Sequence, residues 1–430
     1  MSNLEVNFRS PEIPWSLSMI HWPICKTFSI ITMLTLTTHV VADGTFVHLG
    51  TGLTAYDSNN NGSVVVGYGT SQYWVWTQAT GRVDVGGSVP GNGVGGRPRI
   101  SSDGTLLTGT RLNPTTNLQE ISSYSIPSGI WDSFGGLGSS SGGESSSGWG
   151  VSDDGTTLVG LGWVSAGSAQ AIRWRASTGV VSLGTTVAGR STRANDCNAG
   201  GNVIVGWQDS TSGFRQGAVW IDGVQTLISL SGSPLGEASG VSNDGTWVIG
   251  NGVTSNGSNA WRWSRDTGAS NLGVPPTAGW QGYATSISGD GSIIIGFYRP
   301  FGSPSFFGRG FIWTAATGMV DLNTYAQTQG VVVPTDTILA LPLAISRDGR
   351  TIVGNSRQGN LQNAFILTIT PPPCAGDINQ DGAVGGNDLA TLLSAWGLVS
   401  GTSPADINQD GQVDGTDLTT LLSSWGDCPN

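Results

Sequence analysis

The sequence predicts an all-β chain of about seven four-strand units closed on itself, followed by a small helical module. Three observations predict it. Gly is abundant, at 67 of 430 residues, and charged residues make up only 11%. Many short strands joined by tight turns use that composition, because turns need the positive φ that Gly adopts. A pair of glycines enclosing four mostly β-branched or apolar residues recurs seven times. The last 57 residues carry eight Asp and no Lys or Arg. Disorder is excluded by the 17 Trp, since disordered chains lack the apolar groups that offset ordering entropy.

The glycine pairs are Gly62/Gly67, Gly104/Gly109, Gly155/Gly160, Gly201/Gly206, Gly245/Gly250, Gly291/Gly296 and Gly349/Gly354. In five of them Asp precedes the first Gly, as in VSDDGTTLVG and ISRDGRTIVG. Asp-Gly between an apolar residue and a β-branched run is a hairpin signal. A strand with an aromatic centre follows (YWVW, AIRW, GAVW, AWRW, GFIW), then a turn at Gly and a closing strand such as GVVSLG. Each unit thus holds four short strands over about 45 residues, the size of a propeller blade. The second unit is the loosest match, and without it the count is six. The seventh unit stops at AFILTIT without a closing strand, while GTFVHLG near the start is a closing strand without a unit. If the first strand completes the last unit, no sheet edge stays open. The expectation is a closed β-propeller over residues 43–370 rather than an open solenoid. These units resemble the HAF-type repeats of secreted bacterial proteins, a resemblance that implies a secreted propeller-like array and no particular ligand.

Residues 1–42 read as a signal-peptide region, with Met19 a possible true start. Lys26 precedes the apolar run Phe28 to Ala42, and Val40-Val41-Ala42 supplies small residues for cleavage. A membrane anchor is the alternative, but the run is short and holds four Thr. No other segment is apolar enough to cross a bilayer. Export leads to an oxidising compartment. Cys374 and Cys428 bracket the C-terminal module and form the obvious disulfide pair, leaving Cys197 as a buried thiol.

After the linker Pro371-Pro372-Pro373, residues 374–430 contain DINQDGAVGGND and DINQDGQVDGTD, starting 29 residues apart. Ca²⁺ takes six to eight hard oxygen ligands, and a 12-residue loop supplies them from positions 1, 3, 5, 7, 9 and 12 around a Gly at position 6. In the first loop these are Asp377, Asn379, Asp381, the carbonyl of Ala383, and Asp388, with Gly382 at the turn. In the second they are Asp406, Asn408, Asp410, the carbonyl of Gln412, Asp414 and Asp417, with Gly411 at the turn. Gly385 faces Asp414 in the alignment, so the first of the two ions takes a water there and binds more weakly. Leu389, Leu392, Leu393 and Trp396 fall on one helical face, and Leu418, Leu421, Leu422 and Trp425 repeat it. Two such faces are expected to pack into one core, with metal binding driving the folding of so small a module.

This tandem is similar to a type I dockerin over residues 374–430. The resemblance implies two calcium ions, two half EF-hands, and a cohesin or other extracellular protein as partner. It departs from the dockerins of cellulose-degrading assemblies at loop positions 10 and 11. Those often carry Ser-Thr, where this chain has Gly386-Asn387 and Gly415-Thr416. That puts the choice of cohesin in doubt, but not the calcium sites.

A dockerin also raises the prospect of a polysaccharide partner and of a secreted glycoside hydrolase. The residues for that chemistry are few. After signal removal there is no Lys, and the one His is His48, expected on the closing strand. Only Glu120, Glu144 and Glu237 remain, and no spacing among Asp84, Asp132, Asp196 and Asp266 singles out the opposed pair a glycosidase needs. Ser242 to Trp247 resembles an Asp-box, but its Asp and Gly are adjacent, which reads as a turn. Trp76, Trp174, Trp220, Trp263 and Trp313 recur at one place in the repeat and are expected to pack blades together. The charge of -11 leaves no basic patch suited to nucleic acid. The reading is a non-catalytic secreted propeller with a calcium-dependent docking tail.

Overall fold

A computed structural model of the chain describes residues 44–91, 95–252, 259–369, 376–379, 383–398, 403–408 and 410–427. The signal-peptide region, the Pro linker, Asp381, Gly382 and the proposed Cys374–Cys428 bridge lie outside these residues.

The described chain is mostly strand, in five four-stranded antiparallel sheets and one eight-stranded sheet, with three two-stranded ribbons beside them. The eight-stranded sheet is two four-stranded units joined at the single pair Asn251–Tyr283. Each unit runs in sequence order from its first strand to its fourth, save the last. There the order is Thr337–Ile345, Thr351–Gln358, Leu361–Thr368, and then the N-terminal strand Thr45–Thr51. Thr45 pairs with Thr368 and Thr51 with Asn363, so the orphan first strand does complete the last unit. His48 lies exposed on that outermost strand.

The two glycines of each repeat have separate causes. All seven first glycines have φ between 65° and 80°, the left-handed region that a hairpin turn demands. The second glycine sits where the first strand of the unit passes close by. A Cβ on Gly160 would lie 1.9 Å from the Ser147 carbonyl oxygen, and one on Gly206 would lie 2.0 Å from that of Arg193. In six units the first strand bulges at this point, as between Gly148 and Gly150 or Ala194 and Asp196.

The Asp of the turn is equally local. Ser152 Oγ donates to Asp154 Oδ1 at 2.5 Å and accepts the Thr157 N–H at 3.0 Å, while Asp154 Oδ1 takes the Thr156 N–H at 2.9 Å. Ser101/Asp103, Ser242/Asp244, Ser288/Asp290 and Ser346/Asp348 repeat this lock. The stretch that resembles an Asp-box is therefore a turn. Backbone bonds of 2.8–3.1 Å then link turn to turn. Asn60 donates to Ser102, Ser102 to Asp153, Ala199 to Asn243, Asn243 to Gly289, Gly289 to Arg347, and Asp348 back to Asn60.

Apolar clusters fill the space between successive units. Leu53, Ala55, Val65 and Trp74 of the first unit share one cluster with Ala344, Val353, Ala364 and Ile366 of the last. Of the repeated aromatics, Trp220 and Trp313 are buried, and Trp76, Trp174 and Trp263 are half-buried against such clusters. Cys197 is buried, and burial raises its thiol well above the ordinary range. The sequence did not announce the helix α1 (Leu322–Thr328), capped by Asp321 through the Thr324 N–H, or the small hairpin of Ser229–Leu230 with Ser233–Pro234.

Candidate metal centre

In the tail, helices α2 (Gly386–Ser394) and α3 (Gly415–Ser423) begin at the two loops' tenth positions. Ala383–Val384 pairs with Gly426–Asp427, and Gln412–Val413 pairs with Gly397–Leu398. Each loop's exit is thus stitched to the segment after the other repeat's helix, a pseudo-two-fold arrangement. Its core is Val384, Leu392, Ala405, Val413 and Leu421.

The loop carboxylates are held by backbone donors. Asp417 Oδ1 accepts the N–H of Ile407 at 2.7 Å and of Asn408 at 3.1 Å, and Oδ2 accepts that of Asp414 at 2.9 Å. Asp388 repeats this with Asn379 at 3.0 Å and Gly385 at 2.8 Å. Burial opposes ionisation of Asp388 and Asp417, but their backbone donors outweigh it and hold both carboxyls below the usual range. Asp406 accepts the N–H groups of Asp410 and Gly411, at 3.1 and 2.9 Å, and Asp410 Oδ1 accepts that of Gln412 at 2.9 Å. These bonds curl the second loop around its own oxygens, with Gly411 at φ 89° making the sharp turn. Asp414 Oδ1 caps α3 through the Thr416 N–H at 2.7 Å, a bond Gly385 cannot offer α2.

In the second loop all the predicted ligand positions, Asp406, Asn408, Asp410, Gln412, Asp414 and Asp417, are among the described residues. In the first loop the described ligand positions are Asp377, Asn379, Ala383 and Asp388. Among the described residues, no three His, Cys, Asp or Glu side chains cluster as a metal site by themselves. The donor set expected from the sequence is a mixed one, in which amide and carbonyl oxygens share the ion with carboxylates. No Lys or Arg in the module competes for them.

One expectation is corrected. The Leu and Trp stripe does not all enter the core. Leu392 and Leu421 are buried and Leu389 and Leu418 half-buried, but Leu393, Trp396, Leu422 and Trp425 are each 50–51% exposed. Helix α2 stops at Ser394, so Trp396 lies beyond its C-cap Ala395 and off the helical face. The core space is taken by valines of the ribbons and by Ile378 and Ile407 of the loops.

Residues 375–423 match the dockerin type I domain. No curated protein matches the chain at a significant level. Among solved structures, the chain is similar to the β-propeller domain of the Trilobed protease from Pyrococcus furiosus. That match has TM-score 0.50 and 11% identity, over 74% of this chain and 95% of that one. Oligogalacturonate lyase from Vibrio parahaemolyticus matches at TM-score 0.47 and 12% identity, over 76% and 94%. TolB from Acinetobacter baumannii matches at TM-score 0.40 and 14% identity, over 64% of this chain and 63% of that one. The likeness is one of fold: a propeller-like body followed by a dockerin type I segment.

Proposed function

We propose that this chain is a secreted, non-catalytic binding protein, in which a closed seven-bladed propeller is carried by a calcium-dependent docking module. The observation that carries the docking reading is the pseudo-two-fold tail. It pairs two acidic loops, in a module whose sequence has no Lys or Arg, with two matching exposed patches, Leu393/Trp396 and Leu422/Trp425. Exposed aromatic anchors of this kind are the usual hot spots of protein interfaces. Two Ca²⁺ ions would be held by Asp377, Asn379, Asp381, Ala383 and Asp388, and by Asp406, Asn408, Asp410, Gln412, Asp414 and Asp417. Each ion would neutralise its loop and fix the helix that follows it. Dockerins bind cohesins, so a cohesin-like extracellular protein is the partner this reading names. A clasp between Cys374 and Cys428 would close the module.

Closure of the propeller is supported by the Thr45–Thr51 strand in the last unit and by the turn-to-turn bonds that run back to Asn60. Export is supported by the N-terminal sequence, and the HAF resemblance agrees with it. The enzyme alternative has one observation in its favour: Asp57, Asp153 and Asp196 converge with Arg99 and Arg347. Arg347 is paired to Asp153 at 3.1 Å and Arg99 to Asp57 at 3.7 Å. The space between these groups is about 20 Å³, room for about one water and not for a sugar ring.

The test is capture from the native secretome by the full chain, with and without Ca²⁺. A partner retained in calcium, released by chelator and lost in the Trp396→Ala/Trp425→Ala double variant is the expected result. Equal capture with and without calcium would sink the reading.

A further inference from the structure

Six side chains from the first four units stack in alternation. Arg97 lies 5.1 Å from both the Tyr56 and Trp149 rings. Arg193 lies 3.7 Å from Trp149 and 5.3 Å from Trp207, and Arg215 lies 4.3 Å from Trp207. Stacking of this kind occupies guanidinium faces, so further partners meet the N–H edges, where Arg193 Nε already donates to Asn195 Oδ1 at 2.8 Å. Tyr56, Arg97, Trp149 and Arg193 of this ladder border a cavity of about 260 Å³, just below the roughly 300–1,000 Å³ of sites for drug-sized ligands, which suits a single ring.

The cavity's charges do not balance. Its charged lining is Arg97, Arg99, Arg193 and Glu237. Glu237 is already bound to Arg193 at 2.7 Å and to Arg215 at 3.1 Å. Arg99 turns to Asp57. Arg97 has no carboxylate among the described residues: it donates to the Tyr56 hydroxyl, and its Nε is buried without a partner. Burial, with Arg97 and Arg215 adding to it against Glu237, pushes the Arg193 guanidinium down to about 10. Crowded, half-paired cations lining a half-open cavity are relieved by an anion.

The remaining walls say what carries the anion. Ser239 Oγ donates to the Ala284 carbonyl at 2.8 Å and Thr285 Oγ1 to that of Pro342 at 2.8 Å, so both oxygens keep lone pairs that can accept from hydroxyls. Phe297, Leu341 and Leu343 form an apolar wall. An acidic pyranose has these three features: an oxyanion, a rim of hydroxyls and an apolar C–H face.

We infer that the cavity bounded by Arg97, Arg193, Trp149 and Phe297 binds a single anionic sugar residue, with its carboxylate or sulfate against the guanidinium edges. This goes beyond the docking reading and stands without it, since a tail that captures no partner leaves the cavity unchanged. The test is titration calorimetry of the full chain in calcium-matched buffer with glucuronate, glucose 6-sulfate and glucose. At least one of the two acids should bind tenfold or more tighter than glucose, and the tighter one identifies the oxyanion. Arg97→Gln should weaken it tenfold or more at an unchanged melting temperature. Arg215→Gln, at the half-exposed end of the ladder and paired to Glu237, should weaken it several-fold. The inference is overturned if both acids bind no better than glucose. It is overturned equally if Arg215→Gln, and Arg97→Gln where it folds, bind the acid as the parent does.

Discussion

At the ninth position one missing side chain separates the two acidic loops. Gly385 stands where the second loop has Asp414, and a Cβ built on it meets nothing within 4 Å. Its φ of -144° is open to any residue. Gly385→Asp should therefore add a helix cap worth a few tenths of a kcal/mol and a ninth-position carboxylate. Calcium titration should find two unequal affinities in the parent and two nearly equal ones in the variant; an unchanged isotherm would contradict the unequal-site reading. In the propeller the contrast runs the other way. Gly206→Ala should cost about 1–3 kcal/mol by forcing the Arg193 carbonyl aside. Gly200→Ala, whose nearest neighbour is 3.7 Å away, should be close to neutral in the same urea titration.

At the scale of the element, the Ser–x–Asp turns tie stability to pH. A hydrogen bond from Ser101 and N–H donors hold Asp103 below the usual carboxylate range. Burial opposes the same shift in Asp154 and Asp244, where Ser152, Ser242 and the Thr donors prevail. A depressed folded-state pKa means stability that is fully present above the ordinary carboxyl pKa of about 4 and lost as pH falls through the folded value. The part of the melting temperature that these turns supply should be flat above about pH 5 and fall below about pH 4. Ser242→Ala, which removes a donor to Asp244 and an acceptor for Trp247, should cost about 1–2 kcal/mol at neutral pH and flatten part of that acid slope. An acid slope equal to that of the parent would refute the assignment.

For the whole molecule, the ends of the chain decide what is left open. Deleting Thr45–Thr51 would expose the edge of Leu361–Thr368 along its length. That variant should lose stability and associate, seen as a concentration-dependent mass in light scattering. Chelator should unfold the tail and leave the β signal of the propeller intact. A circular dichroism melt of the tail fragment that EDTA does not change would refute the calcium claim.

What could be read from the sequence is what depends on near neighbours in the chain. The turn glycines with their Asp, and the two acidic loops, are each set within about a dozen residues, so spacing exposes them, and the recurrence of the glycine pairs gives the unit length. The Ser that locks each Asp showed only in the hydrogen bonds. The completion of the last unit by the first strand was also legible, because a repeat cut at both ends implies its complement. The Leu–Trp stripe misled, because a period of 3.6 residues says which residues share a face and not how long the helix is. The ladder of Arg97, Arg193 and Arg215 with Trp149 and Trp207 left no local signal. Its members come from different units, and although Tyr56 and Trp149 sit at the repeated bulge of the first strand, nothing in the spacing of Arg97, Arg193 and Arg215 shows that they meet. By itself the sequence determined the repeat, the Asp-Gly turns and the dockerin-like tail. Only the tertiary structure decided which tryptophans face solvent and which arginines meet, because burial and like-charge crowding arise when distant strands are brought together.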